Sequence, residues 1–257
     1  MKSLIRSIST LTILGATLLC PSFLGRMQAL ALPQEQVIQK LQFIPVFTLR
    51  NDKGESPVIE VPNGQNNKSK VTGVFMSEKD AEGFLNGLKT ENPELAKNMQ
   101  VVTISLGDVY KIVEDNQNKP DRLMFDFIPM QQQVDLASVL KTVNGESINK
   151  DNIGVPLFVA RTGPDKGYLT FQRGSEPVVP FFFAKQDLDN LLNTLRNQQP
   201  NLVNSIDIQV VPLQVMLQKL QSGNDPQLGK IELAPSCDSL KSVGIPDDKK
   251  PIYCQNK

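Results

Sequence analysis

The amino-acid sequence predicts an α+β protein with a mixed sheet, and three observations lead to this fold class. Apolar residues alternate with polar ones in several short segments, as in half-buried strands, and recur at i, i+3, i+4 and i+7 in others, as in amphipathic helices. The same order of segments occurs twice along the chain. In each copy a strand, a helix and another strand follow one another, which favours a crossover connection and some parallel pairing.

The internal repeat aligns residues 73–106 with residues 180–213 without a gap, at an offset of 107. Eight of the 34 aligned positions are identical, whereas about two would be expected from ordinary composition. The identical pairs include the apolar pairs Phe75/Phe182, Leu85/Leu192 and Leu88/Leu195. We therefore predict an internal duplication, with two similar β-β-β-α-β-α-β halves that are related by a pseudo-two-fold axis.

The first half is predicted to span residues 44–145, after an N-terminal helix within residues 32–43. Its strands are indicated by short apolar segments at residues 44–47, 58–61, 71–76, 100–105 and 123–128. Apolar stripes at helical spacing predict helices over residues 81–88, 106–113 and 134–143. Asp52-Lys53-Gly54 predicts a hairpin turn between the first two strands, because Asp and Gly are turn residues.

The second half is predicted to span residues 155–236, after a polar join at residues 146–154. The same patterns indicate strands at residues 155–158, 168–171, 178–183, 207–211 and 231–234, and helices over residues 188–195 and 213–220. Asp165-Lys166-Gly167 predicts a second hairpin turn. Residues 237–257 form a C-terminal tail without strand or helix periodicity.

The first residues are typical of a secretory signal peptide. Lys2 and Arg6 give a positive start, residues 11–19 are apolar, and Ala29-Leu30-Ala31 fits a small-x-small cleavage site. We predict cleavage after Ala31, so that residues 1–31 are removed and the exported protein is soluble. The alternatives are an uncleaved anchor and a lipoprotein signal at Cys20, which bulky Leu19 disfavours.

Cys237 and Cys254 remain in the chain after cleavage, both in the tail. Export leads to an oxidising compartment, where two cysteines favour a disulfide. The alternative is two free thiols on a frayed tail.

The amino-acid composition excludes several classes of function. The chain has no His, so no Ser-His-Asp triad, Cys-His dyad or His-ligated metal site can be built. Its 27 basic and 27 acidic residues give no net charge, unlike a typical nucleic-acid-binding protein. No Walker, dinucleotide-binding, CxxC or G-x-S-x-G motif is found. We therefore predict a binding protein that is not an enzyme, with no catalytic residues, metal, cofactor or nucleic-acid partner.

The apolar run at residues 178–183 is the most unusual segment. Strand side chains alternate between faces, so Phe182 should face the same core as its repeat partner Phe75. Phe181 and Phe183 then face the opposite side, as Val74 and Met76 do in the first half. These four side chains either lie under a second apolar layer or line a partly open groove that accepts apolar segments of a partner.

The sequence resembles the Tic22-like family. The likeness extends from about residue 44 to residue 220, and its most similar segments are residues 44–49, 71–77, 155–158, 167–169 and 179–183. Founding members of the family serve the protein translocon of the chloroplast inner envelope, and relatives occur in cyanobacteria. The bacterial type of signal sequence favours the cyanobacterial branch.

The resemblance implies a periplasmic protein with two related halves and apolar pockets on its flanks. It implies a chaperone-like role in protein translocation and outer-membrane biogenesis, with outer-membrane precursor proteins and the outer-membrane assembly pore as partners. Peripheral association with a membrane is compatible with this role, and the thylakoid lumen is a second possible location. A carrier of a small apolar ligand such as a lipid is the alternative function.

Overall fold

The structure is a computed structural model that describes residues 31–62, 68–119, 122–162, 167–198, 205–223 and 225–255. The chain forms two compact units: an N-terminal unit within residues 34–132, and a C-terminal unit that contains the described residues from 133 to 255 together with residues 31–33. The predicted signal peptide, apart from Ala31, and the predicted turn residues Asp165 and Lys166 lie outside the described residues. None of the helices in the described ranges is both long and apolar enough to cross a membrane.

The N-terminal unit contains a mixed sheet and the helices that pack on it. Its strands are β1 (Pro45–Arg50), β2 (Ile59–Pro62), β3 (Lys68–Phe75), β4 (Gln100–Ser105) and β5 (Leu123–Ile128). Its helices are α1 (Gln34–Leu41), α2 (Glu78–Glu91), α3 (Pro93–Ala96) and α4 (Leu106–Asn116). Helix α5 (Gln131–Ser138) begins at the boundary and lies in the C-terminal unit from Gln133 onward.

Pairing in this sheet confirms the mixed arrangement. β1 is antiparallel to β4 over its whole length and to β3 at the pair Phe47–Phe75, whereas β5 runs parallel to β3. The connection from β3 through α2 to β4 therefore passes over β1, as a crossover does.

The C-terminal unit is built from a similar order of elements. Its strands are β6 (Lys141–Thr142), β7 (Pro156–Thr162), β8 (Gly167–Tyr168), β9 (Phe171–Arg173), β10 (Glu176–Phe182), β11 (Asp207–Pro212) and β12 (Ile231–Ala234). Its helices after α5 are α6 (Lys185–Gln198), α7 (Leu213–Ser222), α8 (Cys237–Ser242) and α9 (Ile252–Gln255), with 3₁₀ turns at Pro226–Lys230 and Asp247–Lys249.

The two units share the register of their central strands. Phe182 pairs with Phe158 on β7 as Phe75 pairs with Phe47 on β1. The parallel pairs also correspond, because Phe75 lies beside Ile128 and Phe182 beside Ala234. Even the connecting hydrogen bonds recur: the Leu106 N–H donates to the Ile44 carbonyl, and the Leu213 N–H donates to the Val155 carbonyl, both at 2.8 Å. These shared pairings support an internal duplication, which remains an interpretation, and the pseudo-two-fold axis stays a prediction.

The helices begin where local hydrogen bonding favours them. Ser77 Oγ accepts a hydrogen bond from the Asp80 N–H at the start of α2, and Ser105 Oγ accepts one from the Asp108 N–H at the start of α4. Asn92 ends α2 and its side chain caps α3, whose first residue is Pro93. These caps satisfy backbone N–H groups that a helix leaves without an internal partner.

Two sequence-based expectations need correction. β2 pairs with β3 and forms no hairpin with β1, although Gly54 does take the predicted turn conformation (φ +79°). The connection of residues 51–58 contains Pro57 and is longer than residues 163–166, which join β7 to its hairpin partner β8. A longer connection lets β2 reach the outer side of β3.

The expected helix over residues 134–143 is the second correction. Helix α5 ends at Ser138 and is followed by β6, which pairs with β11 of the C-terminal unit. Val134 and Ala137 pack into the same core as Phe182, so this segment does not end the N-terminal unit, as the boundary at residue 145 required. The reason is the apolar side of α5, which is buried in the C-terminal core.

Candidate functional site

An apolar groove lies on one face of the N-terminal sheet. Its floor is formed by side chains of four strands: Leu49, Ile59, Val71, Phe75 and Ile128. One wall comes from Phe84 and Leu88 of α2 and from Leu95 of α3, and Pro57 and Val58 complete the opposite edge. This arrangement, the N-terminal groove, encloses a cavity of about 230 Å³.

Strand register explains why these side chains share a face. Paired residues point to the same side of a sheet, and alternate residues along a strand share that side. Phe75 pairs with both Phe47 and Ile128, and Val71 pairs with Ile59. The apolar residues at every second position of β3 therefore all face α2.

A glycine in the floor gives the groove its depth. A Cβ atom at Gly73 would lie 3.0 Å from Ile128 Cδ1 and 3.3 Å from Phe75 Cε2. The Thr48 hydroxyl donates a 2.9 Å hydrogen bond to the Gly73 carbonyl and holds this part of β3 in place. Any larger residue at this position would raise the floor toward the wall.

The groove is open to solvent along its wall and edge. Ile59 is 66% exposed and Phe84 is 49% exposed, and the ring centroids of Phe84 and Phe75 lie 5.4 Å apart. Val58 and Leu95 are also exposed. Large apolar side chains gathered at an open cavity are characteristic of binding surfaces, because isolated exposed apolar residues are common but contiguous ones are not.

Asp126 is the one charged residue among those that line the groove within the described chain. It pairs with Gly73 and so faces the groove, where it is exposed. The chemistry of the site is otherwise apolar. Such a surface can bind an apolar segment by removing it from water, and Asp126 can pair with a cationic or donor group of that segment.

The corresponding face of the C-terminal unit is covered. The shared register matches Leu49, Ile59, Phe75 and Ile128 to Ala160, Phe171, Phe182 and Ala234. All four latter residues are buried in one cluster that also contains Cys237, Leu240, Tyr253 and Cys254 of the tail. Leu191, the repeat partner of Phe84, is fully buried in that cluster (0% exposed).

A disulfide joins Cys237 of α8 to Cys254 of α9, with the two Cα atoms 5.4 Å apart. The tail is therefore folded against the C-terminal core, although its sequence shows no periodicity. The ring of Tyr253 meets the ring of Phe182 edge-on, with centroids 5.0 Å apart. Burial, and to a smaller extent the carboxylates of Asp187 and Glu232, holds the pKa of the Tyr253 hydroxyl well above its usual value.

The four residues predicted to line a partner groove are not exposed. Val74, Met76, Phe181 and Phe183 are each at most 3% exposed. A side chain that is removed from water in the folded chain offers no surface to a partner, so the expected open groove at these positions is wrong. The side of the sheet opposite Phe75 and Phe182 is therefore covered at these positions, which is the second apolar layer that the sequence left open.

Sequence reasoning missed the groove because it lies on the other face of the sheet, beside Phe75. Leu85 and Leu192 are buried alike, as their repeat positions predict, but Leu88 is only half-buried and lines the groove, whereas Leu195 is fully buried. The available signal was the unequal flanks of the two halves, since only the second is followed by a cysteine-containing tail.

Gln133 is buried, although three successive glutamines at residues 131–133 are more typical of a solvated helix face. Its Oε1 accepts a 2.9 Å hydrogen bond from the Lys185 N–H at the start of α6, and its Nε2 donates to Gln186 Oε1. The side chain therefore accepts a hydrogen bond from a backbone N–H group in the first turn of α6, where the helix provides no internal partner.

Within the described residues, no group of three or more Cys, Asp or Glu side chains could hold a metal ion.

Comparisons of the sequence and of the fold show which known proteins this chain is similar to. The family model described as Tic22-like matches residues 17–239. A chloroplastic TIC 22 protein of Arabidopsis thaliana is 29% identical over 177 residues, which cover 66% of this chain and 59% of that protein. The chain thus spans less than two thirds of this relative. The chloroplastic TIC 22 protein of Pisum sativum is 25% identical over 194 residues, 75% of this chain and 69% of that protein.

Solved structures show the same fold. Anabaena Tic22, described as a protein of protein transport, superposes with a TM-score of 0.72 at 33% sequence identity, covering 82% of this chain and 96% of that one. Tic22 from Plasmodium falciparum shares the fold with a TM-score of 0.64 at 21% identity, covering 80% of this chain and 95% of that one. Since the family model extends over most of the sequence, the chain belongs to the Tic22-like family.

Proposed function

We propose that this protein takes part in protein transport as a chaperone-like escort that has no catalytic role and binds apolar segments of precursor proteins in the N-terminal groove. The observation that carries the proposal is the open apolar floor and wall, in which Ile59 is 66% exposed and Phe84 about half-exposed. Membership of the Tic22-like family and the likeness to a transport protein of Anabaena support the same role.

The location proposed for this activity is the periplasm, with the thylakoid lumen as a second site. Its clients would be outer-membrane precursors, whose strands alternate apolar and polar residues, and the outer-membrane assembly pore would receive them. This assignment follows from the signal-like residues 1–31 and from the family resemblance. An unfolded barrel strand suits the groove because its apolar side can face the floor while its polar side faces water.

The energetics favour weak, reversible binding. Removing a few hundred Å² of apolar surface from water would contribute several kcal/mol at about 25 cal/mol per Å². Ordering of the client opposes that gain, so release needs no added energy source. The cavity of about 230 Å³ is also smaller than the roughly 300–1,000 Å³ typical of small-molecule sites. Its size and openness favour an extended segment over an enclosed lipid.

The double substitution Ile59→Gln with Phe84→Gln tests this proposal. Both side chains are exposed, so the variant should fold while losing suppression of aggregation of an unfolded outer-membrane barrel. Phe43→Gln is the matched control, because Phe43 is 65% exposed in the same unit and does not line the groove. Equal protection by the double variant and the control would exclude the groove as the client site. A lipid retained by the purified protein, and lost only from the double variant, would instead establish the carrier function.

A further inference from the structure

In the C-terminal unit, the tail packs against Phe182, which corresponds to Phe75 in the floor of the N-terminal groove. The matched residues differ sharply in exposure, since Phe171 is 6% exposed where its counterpart Ile59 is 66% exposed. We call the surface formed by Ala160, Phe171, Phe182, Leu191 and Ala234 the covered face. It has the register and the apolar character of the groove floor and wall, but it is buried in a cluster that also contains residues of α5 and of the tail.

The tail binds the covered face mainly through one aromatic anchor. Tyr253 of α9 packs its ring on Phe182, and its hydroxyl donates a 3.2 Å hydrogen bond to the Pro235 carbonyl. Ile252 packs at the border of the same cluster. The covered face therefore already binds a short apolar segment, and that segment belongs to this chain.

Helix α9 depends on its surroundings to stay in place. A helix of four residues is not stable by itself, because nucleation is unfavourable and few hydrogen bonds reward it. Besides the Tyr253 contacts, it is held by the disulfide between Cys254 and Cys237. A disulfide stabilises such a segment chiefly by limiting the freedom of the released chain. Breaking it makes release of α9 more favourable.

We propose that the C-terminal segment is a displaceable occupant of a second binding face, and that reduction of the Cys237–Cys254 disulfide frees this face for the apolar segments that bind the N-terminal groove. The proposal rests on the proposed function for the class of client. In the reducing step a dithiol donates two electrons and two protons, becoming a disulfide itself, and Cys237 and Cys254 become thiols.

Binding stoichiometry measures the release directly. The probe is a synthetic peptide with the sequence of one strand of an outer-membrane barrel, titrated calorimetrically into the full chain. We expect one peptide per oxidised chain and two per chain after treatment with dithiothreitol. The variant Cys237→Ser with Cys254→Ser should bind two without dithiothreitol, and dithiothreitol should not change it. A second variant, Tyr253→Ala in that background, removes the anchor as well and should also bind two.

The groove substitutions separate the two proposals. With Ile59→Gln and Phe84→Gln, the oxidised chain should bind no peptide and the reduced chain one. If the unmodified chain binds one peptide in both redox states, and the folded serine and alanine variants also bind one, the covered face is not a binding site. If the oxidised chain binds none and the reduced chain one, the groove assignment fails and the covered face remains. If neither the oxidised nor the reduced chain nor any variant binds the peptide, both the groove and the covered face are excluded as binding sites. Amide exchange at residues 252–255 verifies the release, and unchanged protection after reduction would overturn it.

Discussion

The carboxylate of Asp187 accepts a 2.8 Å hydrogen bond, through Oδ2, from the backbone N–H of Cys237. Asp187 lies in the first turn of α6 and is buried, whereas Cys237 begins α8. The bond therefore joins the helix of the covered face to the start of the tail. Its repeat partner, Asp80, is exposed on α2, where no tail follows.

Replacing Asp187 should weaken the attachment of the tail. In Asp187→Leu the buried N–H of Cys237 loses this acceptor, which costs about 1–3 kcal/mol in the free energy of unfolding. Asp80→Leu is the matched control and should stay within about 0.5 kcal/mol of the parent protein, since it changes an exposed side chain. Urea denaturation of the two variants compares them, and equal losses would contradict the role of this bond.

Truncation of two repeat partners should have unequal effects. Leu191→Ala empties a fully buried site and should lower stability by about 2–5 kcal/mol. Phe84→Ala removes a half-exposed ring and should cost about 0.8–1.5 kcal/mol, half of the transfer energy of a fully buried side chain. Thermal unfolding followed by circular dichroism distinguishes the two. Similar losses would show that the groove is closed in solution.

Polar substitution at Phe181 or Phe183 should disrupt folding. Each ring is buried, so Phe181→Ser or Phe183→Ser leaves a cavity that costs about 3–5 kcal/mol, and the hydroxyl adds a further polar penalty. The expected result is loss of the cooperative transition or a large fall in its midpoint. A stable variant that no longer protects a client would instead restore the idea of an open groove at these positions.

Replacing either of two glycines in α2 by alanine should raise the stability of the protein. Gly83 and Gly87 have no atom within 4 Å of an added Cβ, and neither has a positive φ. Alanine at either position should raise stability by about 0.5–1 kcal/mol, because glycine loses more backbone freedom in a helix. Gly73→Ala is the contrasting variant: it should shift Ile128 and weaken client binding. Chemical denaturation measures the first effect and peptide titration the second.

Alkaline conditions should loosen the tail. The pKa of Tyr253 is raised well above 10.0 in the folded chain, mainly by burial, so the folded state favours the neutral phenol. Below about pH 10 both folded and unfolded forms are protonated and the stabilisation is complete. Above it the unfolded chain ionises first, and stability falls as the pH rises toward the folded pKa.

The variant Tyr253→Phe removes this titration and checks its origin. It should show a smaller alkaline loss of stability than the parent protein, and at neutral pH it should lose about 0.5–1.5 kcal/mol with the hydrogen bond to Pro235. Burial also raises the pKa values of Tyr110 and Tyr168. The ultraviolet titration of the variant therefore measures the contribution of these two residues to the alkaline transition. An unchanged alkaline transition in the variant would assign the effect to those two residues.

The repeated sequence pattern was sufficient to predict most local structure. The stripe of α6 places Leu188, Leu191 and Leu192 on one side, and all three are buried as predicted. Strand alternation likewise predicted that Phe75 and Phe182 face the core, and both are buried. Such predictions succeed because helical and strand periodicities are properties of the backbone, which depend on neighbours in sequence.

Strand partners were less predictable. The segment at residues 59–62 has the composition of a hairpin strand, but it pairs with β3 and not with β1. The choice depends on the length of the connection and on competition for the edge of β3. Neither the length of the connection nor this competition is encoded in the residues of the strand itself. The local pattern therefore predicted the strand but not its pairing partner.

By itself, the sequence determined the α+β class, the order of the repeated elements, the helix stripes and the facing of Phe75 and Phe182. Only the tertiary structure decided which apolar face is open. Periodicity shows on which face of a helix or strand a side chain lies, but it does not show whether another segment of the chain covers that face. Phe84 is exposed, whereas Leu191, at the equivalent position, is buried in a cluster that includes residues of α5 and of the tail, and those contacts join residues far apart in sequence.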